Sequence, residues 1–231
     1  MKRIGHKGAD HVAPGNTFES FRAALDAGVD MIEFDVLRLR DGRLVLAHDY
    51  DDAARREPAT LDEGLDHFAG EAYREIELDV DMKQRGYERE VVEGLERRDL
   101  SARTLVSSHY LESLELVGEL APELRRGWSV PRVRRNYMRS PLAPLAWGVA
   151  RVWRARLPGL AAALVREGRI EAVMSHWILM SPALVRRVKA AGGEVYAWTV
   201  DDPRRIRRYE ELGVDGVITN DPRLFDQAPT A

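Results

Sequence analysis

Along most of the chain, short apolar runs alternate with segments in which apolar residues recur every three or four positions. The runs fit buried strands and the segments fit amphipathic helices. Strands are expected over residues 4–6, 31–37, 44–47, 75–83, 104–107, 124–130, 171–175, 194–200 and 216–219. Helices are expected over 17–27, 61–68, 87–98, 111–120, 181–191 and 203–212. In the first helix, Thr17 suits an N-cap, Phe18, Phe21, Ala24 and Leu25 share one face, and Gly28 ends it. Strands separated by helices pair in parallel through right-handed crossovers, and about eight such units in one chain predict a TIM (β/α)8 barrel. A doubly wound open sheet is the alternative. Nine strands exceed the barrel by one, and the surplus is assigned to a hairpin turning at Asp41-Gly42.

Composition narrows this picture without changing it. The chain has 231 residues, 45% hydrophobic and 32% charged, which suits one barrel domain over 1–231. A net charge of -3 gives no reason to invoke nucleic acid. The absence of cysteine excludes disulfides, zinc–thiolate sites and cysteine nucleophiles, and accords with a cytoplasmic location. The basic N-terminal residues have no apolar stretch behind them, so no signal peptide is expected. Residues 227–231 read as a frayed tail. Between 131 and 169 the alternation breaks, and Arg132, Arg134, Arg135, Arg139, Arg151, Arg154 and Arg156 intersperse with leucine, valine and tryptophan. Such a stretch suits either peripheral contact with an anionic membrane surface or one barrel helix with a loop capping the site. The second is favoured, because arginine outweighs lysine throughout the chain.

The candidate chemistry lies in the first half. Glu33 and Asp35 are two apart on an otherwise apolar strand, so both side chains project to one side. They suit two ligands of a hard divalent cation, Mg²⁺ or Ca²⁺, or two salt bridges to nearby arginines. His6 and His48 each close a strand, where a barrel collects catalytic groups, and two imidazoles there can act as acid and base. Either alone would more often be structural. Gly8 and the segment Pro14-Gly15-Asn16-Thr17 open a helix N-terminus suited to an anion. Asp81 and Lys83 repeat the two-residue spacing and offer a third carboxylate and a fixed positive charge, or simply the polar face of a strand. His11 is expected in a loop, His67 on the surface, and His109 and His176 beside the site as packing or substrate contacts.

In order and spacing, His6-Lys7-Gly8, Pro14-Gly15-Asn16-Thr17, Glu33-Phe34-Asp35, the segment from Asp41 to His48-Asp49, and Asp81-Met82-Lys83 resemble the signature of the glycerophosphodiester phosphodiesterase family. So do Trp198-Thr199-Val200-Asp201 and the run from Gly213 to Pro222. The resemblance implies a TIM barrel related to phosphatidylinositol phospholipase C, which hydrolyses glycerophosphodiesters to an alcohol and glycerol 3-phosphate. It implies that Glu33, Asp35 and Asp81 ligate one divalent cation, that His6 and His48 form the acid–base pair, and that Lys7 and Lys83 hold phosphate oxygens. Trp198 would wall the glycerol unit. Three positions depart from the family pattern. Lys7 replaces arginine, Asp81 replaces a longer glutamate, and Gly15 replaces a glutamate whose loop-anchoring hydrogen bond is expected to be missing. A lysophospholipase D or sphingomyelinase D type of lipid phosphodiesterase is the first alternative, and a weakened binding or regulatory barrel the second.

Overall fold

A computed structural model describes residues 1–132 and 143–227; residues 133–142 of the arginine-rich segment and 228–231 of the expected tail lie outside the described residues. The strands are β1 (Lys2–Gly5), β2 (Met31–Arg38), β3 (Leu44–Leu46), β4 (Glu77–Met82), β5 (Thr104–Ser108), β6 (Arg125–Val130), β7 (Ala172–His176), β8 (Glu194–Trp198) and β9 (Gly216–Thr219). The helices are α1 (Phe18–Asp26), α2 (Tyr50–Arg55), α3 (Leu61–Phe68), α4 (Glu88–Glu96), α5 (Leu111–Leu120), α6 (Ala143–Arg166), α7 (Pro182–Ala190) and α8 (Pro203–Leu212). The parallel strands follow one another in the order β1-β9-β8-β7-β6-β5-β4-β2, and β1 also pairs with β2. That second pairing closes the sheet on itself, so the expected TIM barrel forms and the open sheet is excluded. The surplus strand is β3. It runs antiparallel to β2, with Leu46 opposite Val36, and lies outside the ring. Gly42, at φ 93°, makes the turn between them.

The barrel interior is layered. At the N-terminal mouth Lys2 Nζ sits 2.6 Å from Glu77, and Arg125 bridges Glu77 and Glu194. Above this ionic floor Ile4, Met31, Leu105, Ala172, Met174, Tyr196 and Ile218 form an apolar plug. The next layer up is polar, and it carries the candidate site.

Alternation along β2 couples that layer to the helices outside. Glu33 and Asp35 share one face of the strand, so Phe34 points the other way, into the helix layer. There it packs on Phe68 of α3 at 5.0 Å between ring centroids, and Phe68 packs on Phe21 of α1 at 4.7 Å. All three rings are fully buried. His67, expected on the surface, is half-buried in this cluster, stacked at 4.4 Å on Phe18. Its helix turn faces α1 rather than solvent.

Phe68 therefore fixes the strand that presents two carboxylates. Phe68→Ala should cost about 3–5 kcal/mol of stability through the cavity it leaves, measured as a lowered urea midpoint with an unchanged slope.

Candidate active site

Strand register assembles the acidic cluster. β2 and β4 pair with Glu33 beside Asp79 and Asp35 beside Asp81. Inward-facing carboxylates on neighbouring strands therefore stand in two rows. Oxygens of Glu33, Asp35 and Asp81 lie within 4.8 Å of one another, and all three residues are buried. The shorter side chain at Asp81 thus still reaches the other two. Lys83 follows β4 and turns its ammonium into the same space, 2.5 Å from Asp81 Oδ2 and against Asp35 Oδ1. The sequence left Glu33 and Asp35 open between a metal and arginine salt bridges. The structure gives them no arginine partner among the described residues. Among the described residues the one lysine or arginine in close side-chain contact with the pair is Lys83, on Asp35.

One ammonium does not balance three buried carboxylates. Burial, then the Asp35 charge, pushes the Glu33 carboxyl well above its ordinary range. Burial acts the same way on Asp35, but the charge of Lys83, with His48 and His6, overcomes it and draws that carboxyl down. Lys83 is pulled down by burial and raised further by Asp35, Asp81 and Glu33, so it stays charged. Burial and the neighbouring Asp81 push Asp79 up to about 8, so it is neutral at pH 7. Asp81 Oδ1 is buried without a hydrogen bond, and Asp35 Oδ1 has only the Lys83 ammonium against it. Three buried carboxylates beside one ammonium, with one oxygen left unpaired, are a donor set of the kind that a hard divalent cation satisfies. The residues fit such an ion.

Neighbouring loops orient the cluster. Asn16, fully buried at φ 58°, donates from Nδ2 to Asp35 Oδ2 at 2.8 Å and accepts the Asp35 N–H on Oδ1 at 3.0 Å. The Lys7 N–H donates to Glu33 Oε2 at 2.8 Å. His6, just beyond β1, holds Nε2 3.9 Å from the same oxygen. Its Nδ1 lies 2.5 Å from Asn220 Oδ1. Asn220 Nδ2 donates to Asp201 Oδ2 at 2.7 Å, and the Asn220 N–H donates to Asp201 Oδ1 at 2.8 Å. That bond fixes which end of the amide faces His6, so Nδ1 carries the proton and Nε2 offers a lone pair. Burial, with the charge of Lys7, lowers the His6 imidazole to about 4, so it is neutral at pH 7. Asn220, Asp201, Asn16 and Asp10 were not given roles from sequence. Only the order of the TND segment after the last strand carried a signal for Asn220.

The other expected residues are placed less uniformly. Lys7 Nζ is held 2.8 Å from Asp10 Oδ2, away from the carboxylates. Asp10 Oδ1 accepts the Gly15 N–H at 2.9 Å. The loop anchor expected to be missing at Gly15 is therefore supplied by Asp10. A Cβ on Gly15 would stand 2.5 Å from Asp10 Oδ1, so that carboxylate fills the place of a side chain. His48 follows β3, which is not a barrel strand, so the expectation of a barrel strand end is corrected. The hairpin folds back along β2 and returns His48 near Asp35, whose carboxyl its charge lowers. His48 is half exposed and its Nδ1 lies 3.0 Å from Asp49 Oδ2. Trp198 closes β8, donates from Nε1 to the Met174 carbonyl at 2.7 Å, and packs edge-on to His176 at 5.0 Å. His109 is tied to the Ser129 carbonyl, so His109 and His176 both line the wall near Trp198. His11 is in a loop, as expected.

Fold and site together define a (β/α)8 barrel with a buried acidic cluster and a neutral histidine at the C-terminal mouth. The family model for the glycerophosphoryl diester phosphodiesterase family matches residues 6–58 and 53–224, and the chain belongs to that family. A glycerophosphodiester phosphodiesterase of Caldanaerobacter subterraneus is 28% identical over 256 residues, covering 96% of this chain and 95% of its own. A phosphodiesterase of Oleispira antarctica, solved in complex with the product sn-glycerol-3-phosphate, superposes with a TM-score of 0.73 at 23% identity over 99% of this chain and 96% of its own. A glycerophosphodiester phosphodiesterase from Parabacteroides distasonis has the same fold, with a TM-score of 0.73 at 21% identity over 99% and 98% of the two chains.

A divalent cation bound to this cluster should stabilise the fold, by about 2.7 kcal/mol at a hundredfold excess over its Kd. Mg²⁺ or Ca²⁺ should raise Tm in wild type, and Asp35→Asn should abolish that rise. An unchanged Tm for wild type at millimolar ion, with no binding by calorimetry, would count against the metal site.

Proposed function

We propose that the chain hydrolyses glycerophosphodiesters to an alcohol and glycerol 3-phosphate, with His6 as general base, His48 as general acid and one divalent cation, Mg²⁺ or Ca²⁺, on Glu33, Asp35 and Asp81. The observation that carries the acid–base assignment is the Asp201–Asn220–His6 chain of hydrogen bonds, which leaves a neutral imidazole with Nε2 free beside the carboxylates. Family membership and the names of the relatives support the substrate class. The cysteine-free composition accords with a cytoplasmic setting.

The steps follow from the residues. The cation supplies charge neutralisation to a phosphodiester that becomes more negative in the transition state. His6 Nε2 takes the proton from the glycerol hydroxyl next to the phosphate, whose oxygen attacks phosphorus. His48 gives a proton to the departing alcohol oxygen. The resulting cyclic phosphate is opened by water with the two histidines exchanging roles. Lys83 stays charged through the cycle and keeps Asp35 ionised. Lys7 holds the first loop through Asp10 and adds positive charge near the phosphate. Trp198, fixed by its bond to Met174, presents an apolar edge to the glycerol carbons. A lysophospholipase D type of activity is the second reading. It is favoured by the exposed apolar residues of α6, Trp147, Val149 and Val152.

The test is a panel of glycerophosphocholine, glycerophosphoethanolamine, lysophosphatidylcholine and a bis-aryl phosphate, each with Mg²⁺, Ca²⁺ or chelator. Turnover of the first two with metal supports the main reading, and turnover of lysophosphatidylcholine alone selects the second. No hydrolysis of any would leave a binding or regulatory barrel. His6→Ala and His48→Ala should each lower kcat by about 10²–10⁴ without loss of fold, and near wild-type turnover by either sinks the assignment.

Asn220 acts through His6. Asn220→Ala should lower kcat by about tenfold or more, leave KM nearly unchanged and displace the acidic limb of the pH–rate profile. An unaltered profile would mean that Asn220 is only structural.

A further inference from the structure

We propose that the N-terminal half of α6 is a docking surface for an anionic lipid bilayer and holds the catalytic mouth against it. This inference rests on α6 and the rim arginines, not on the hydrolase reading.

Length gives the first argument. α6 has 24 residues, about 36 Å of helix at 1.5 Å per residue. Neighbouring β6 and β7 have 6 and 5 residues, which span about 17–20 Å. The helix follows the C-terminal end of β6 and runs back to the start of β7, so its excess length lies at the catalytic end. Burial agrees. Leu157, Ala161 and Leu164 share a core cluster with Leu184, Val185 and Val188 of α7, whereas all six residues 151–156 are exposed. Apart from Ala150, which packs partly against the same cluster, the described first half of α6 overhangs the mouth. Arg154 ties it to the rim, donating to the Ile178 carbonyl at 3.1 Å.

The second argument is the character of the overhang. Val149, Val152, Trp153, Arg156 and Leu160 follow the i, i+3, i+4, i+7, i+11 spacing of one helix face. The buried Leu157, Ala161 and Leu164 occupy the adjacent face, about a quarter turn round the helix. Val149 and Val152 are 52% exposed, Leu160 45% and Trp153 38%, so the outward face is apolar as well as the inward one. Nothing among the described residues covers it.

Charge selects the occupant. α6 carries Arg151, Arg154, Arg156 and Arg166 and no acidic residue, in a chain whose net charge is -3. On the same side of the mouth, exposed Arg85 and Arg132 stack on Tyr110, at 5.1 and 4.4 Å. Tryptophan and valine interleaved with arginine on one exposed face is the pattern of a helix lying in the interface of an anionic membrane. A protein partner would need an acidic apolar groove, and nothing on this surface demands one. No described helix is long and apolar enough to cross a membrane, so α6 lies on the bilayer rather than spanning it.

The experiment is co-sedimentation of the full chain with vesicles of phosphatidylcholine alone or with phosphatidylglycerol, at low and high salt. Binding should require phosphatidylglycerol and weaken with salt. It should fall by roughly 25-fold in Arg151→Gln/Arg156→Gln, since each arginine at an anionic surface adds about 1 kcal/mol, roughly fivefold. Val152→Asp/Trp153→Asp should abolish it, with circular dichroism and Tm confirming the fold of both variants. Should the aspartate variant not fold, the arginine pair decides alone. Failure to bind phosphatidylglycerol vesicles at low salt overturns the proposal, as does binding that both variants retain. A concentration-dependent dimer in sedimentation velocity, lost in the variants and without vesicle binding, would assign the stripe to a second copy instead.

Discussion

Four carboxylates facing into one barrel are the constraint on which the rest of the structure depends. Glu33, Asp35, Asp79 and Asp81 occupy two adjacent strands and are all buried. Such a cluster survives only if its charge is neutralised, shared or protonated. Lys83 supplies one positive charge, Asp79 keeps a proton, and Asn16 and the Lys7 N–H satisfy oxygens of Asp35 and Glu33. The apolar plug below closes the site from the opposite mouth, and the aromatic cluster outside β2 fixes the strand in register. Each of these elements is costly or ordinary alone. Together they hold an acidic cluster whose electrostatic stress the fold does not relieve by itself.

Much of the fold was legible because each barrel strand obeys a simple pattern. β5 and β7 are short, mostly apolar runs followed by helices, β4 alternates apolar and charged residues, and the turn at Asp41-Gly42 marked β3 as the extra strand. The acidic set was legible from spacing, since a period of two puts Glu33 with Asp35 and Asp81 with Lys83. The cross-strand register that brings the two pairs together was not, because no local pattern encodes it. His48 was found by its motif, although the reason first given for it, a barrel strand end, does not hold. Asn220 and Asp201 escaped because their role is a contact between separate loops. His67 looked exposed because its helix is polar on that side, and only the approach of α1 covers it.

α6 was the least legible element. Its inward positions are alanine and leucine and its outward ones valine, tryptophan, leucine and Arg156, so its apolar pattern alone does not orient it. Proline at 158, a residue that breaks helices, sits inside it. Only the structure separates the part that packs on the barrel from the part that projects past it. The mouth is consequently uneven: arginine and tryptophan gather beyond β6, while Asp49 and Asp201 lie across the opening.

Asp10 and Gly15 have a consequence for how such a loop changes over generations. With Asp10 bonded to the Gly15 N–H and to Lys7, the space beside residue 15 is already taken. A glutamate introduced at 15 alone would collide with the group that now does its work. Asp10 would have to change first, and for one step the loop would have neither anchor. The two residues are therefore locked as a pair, and the present arrangement is easier to keep than to leave.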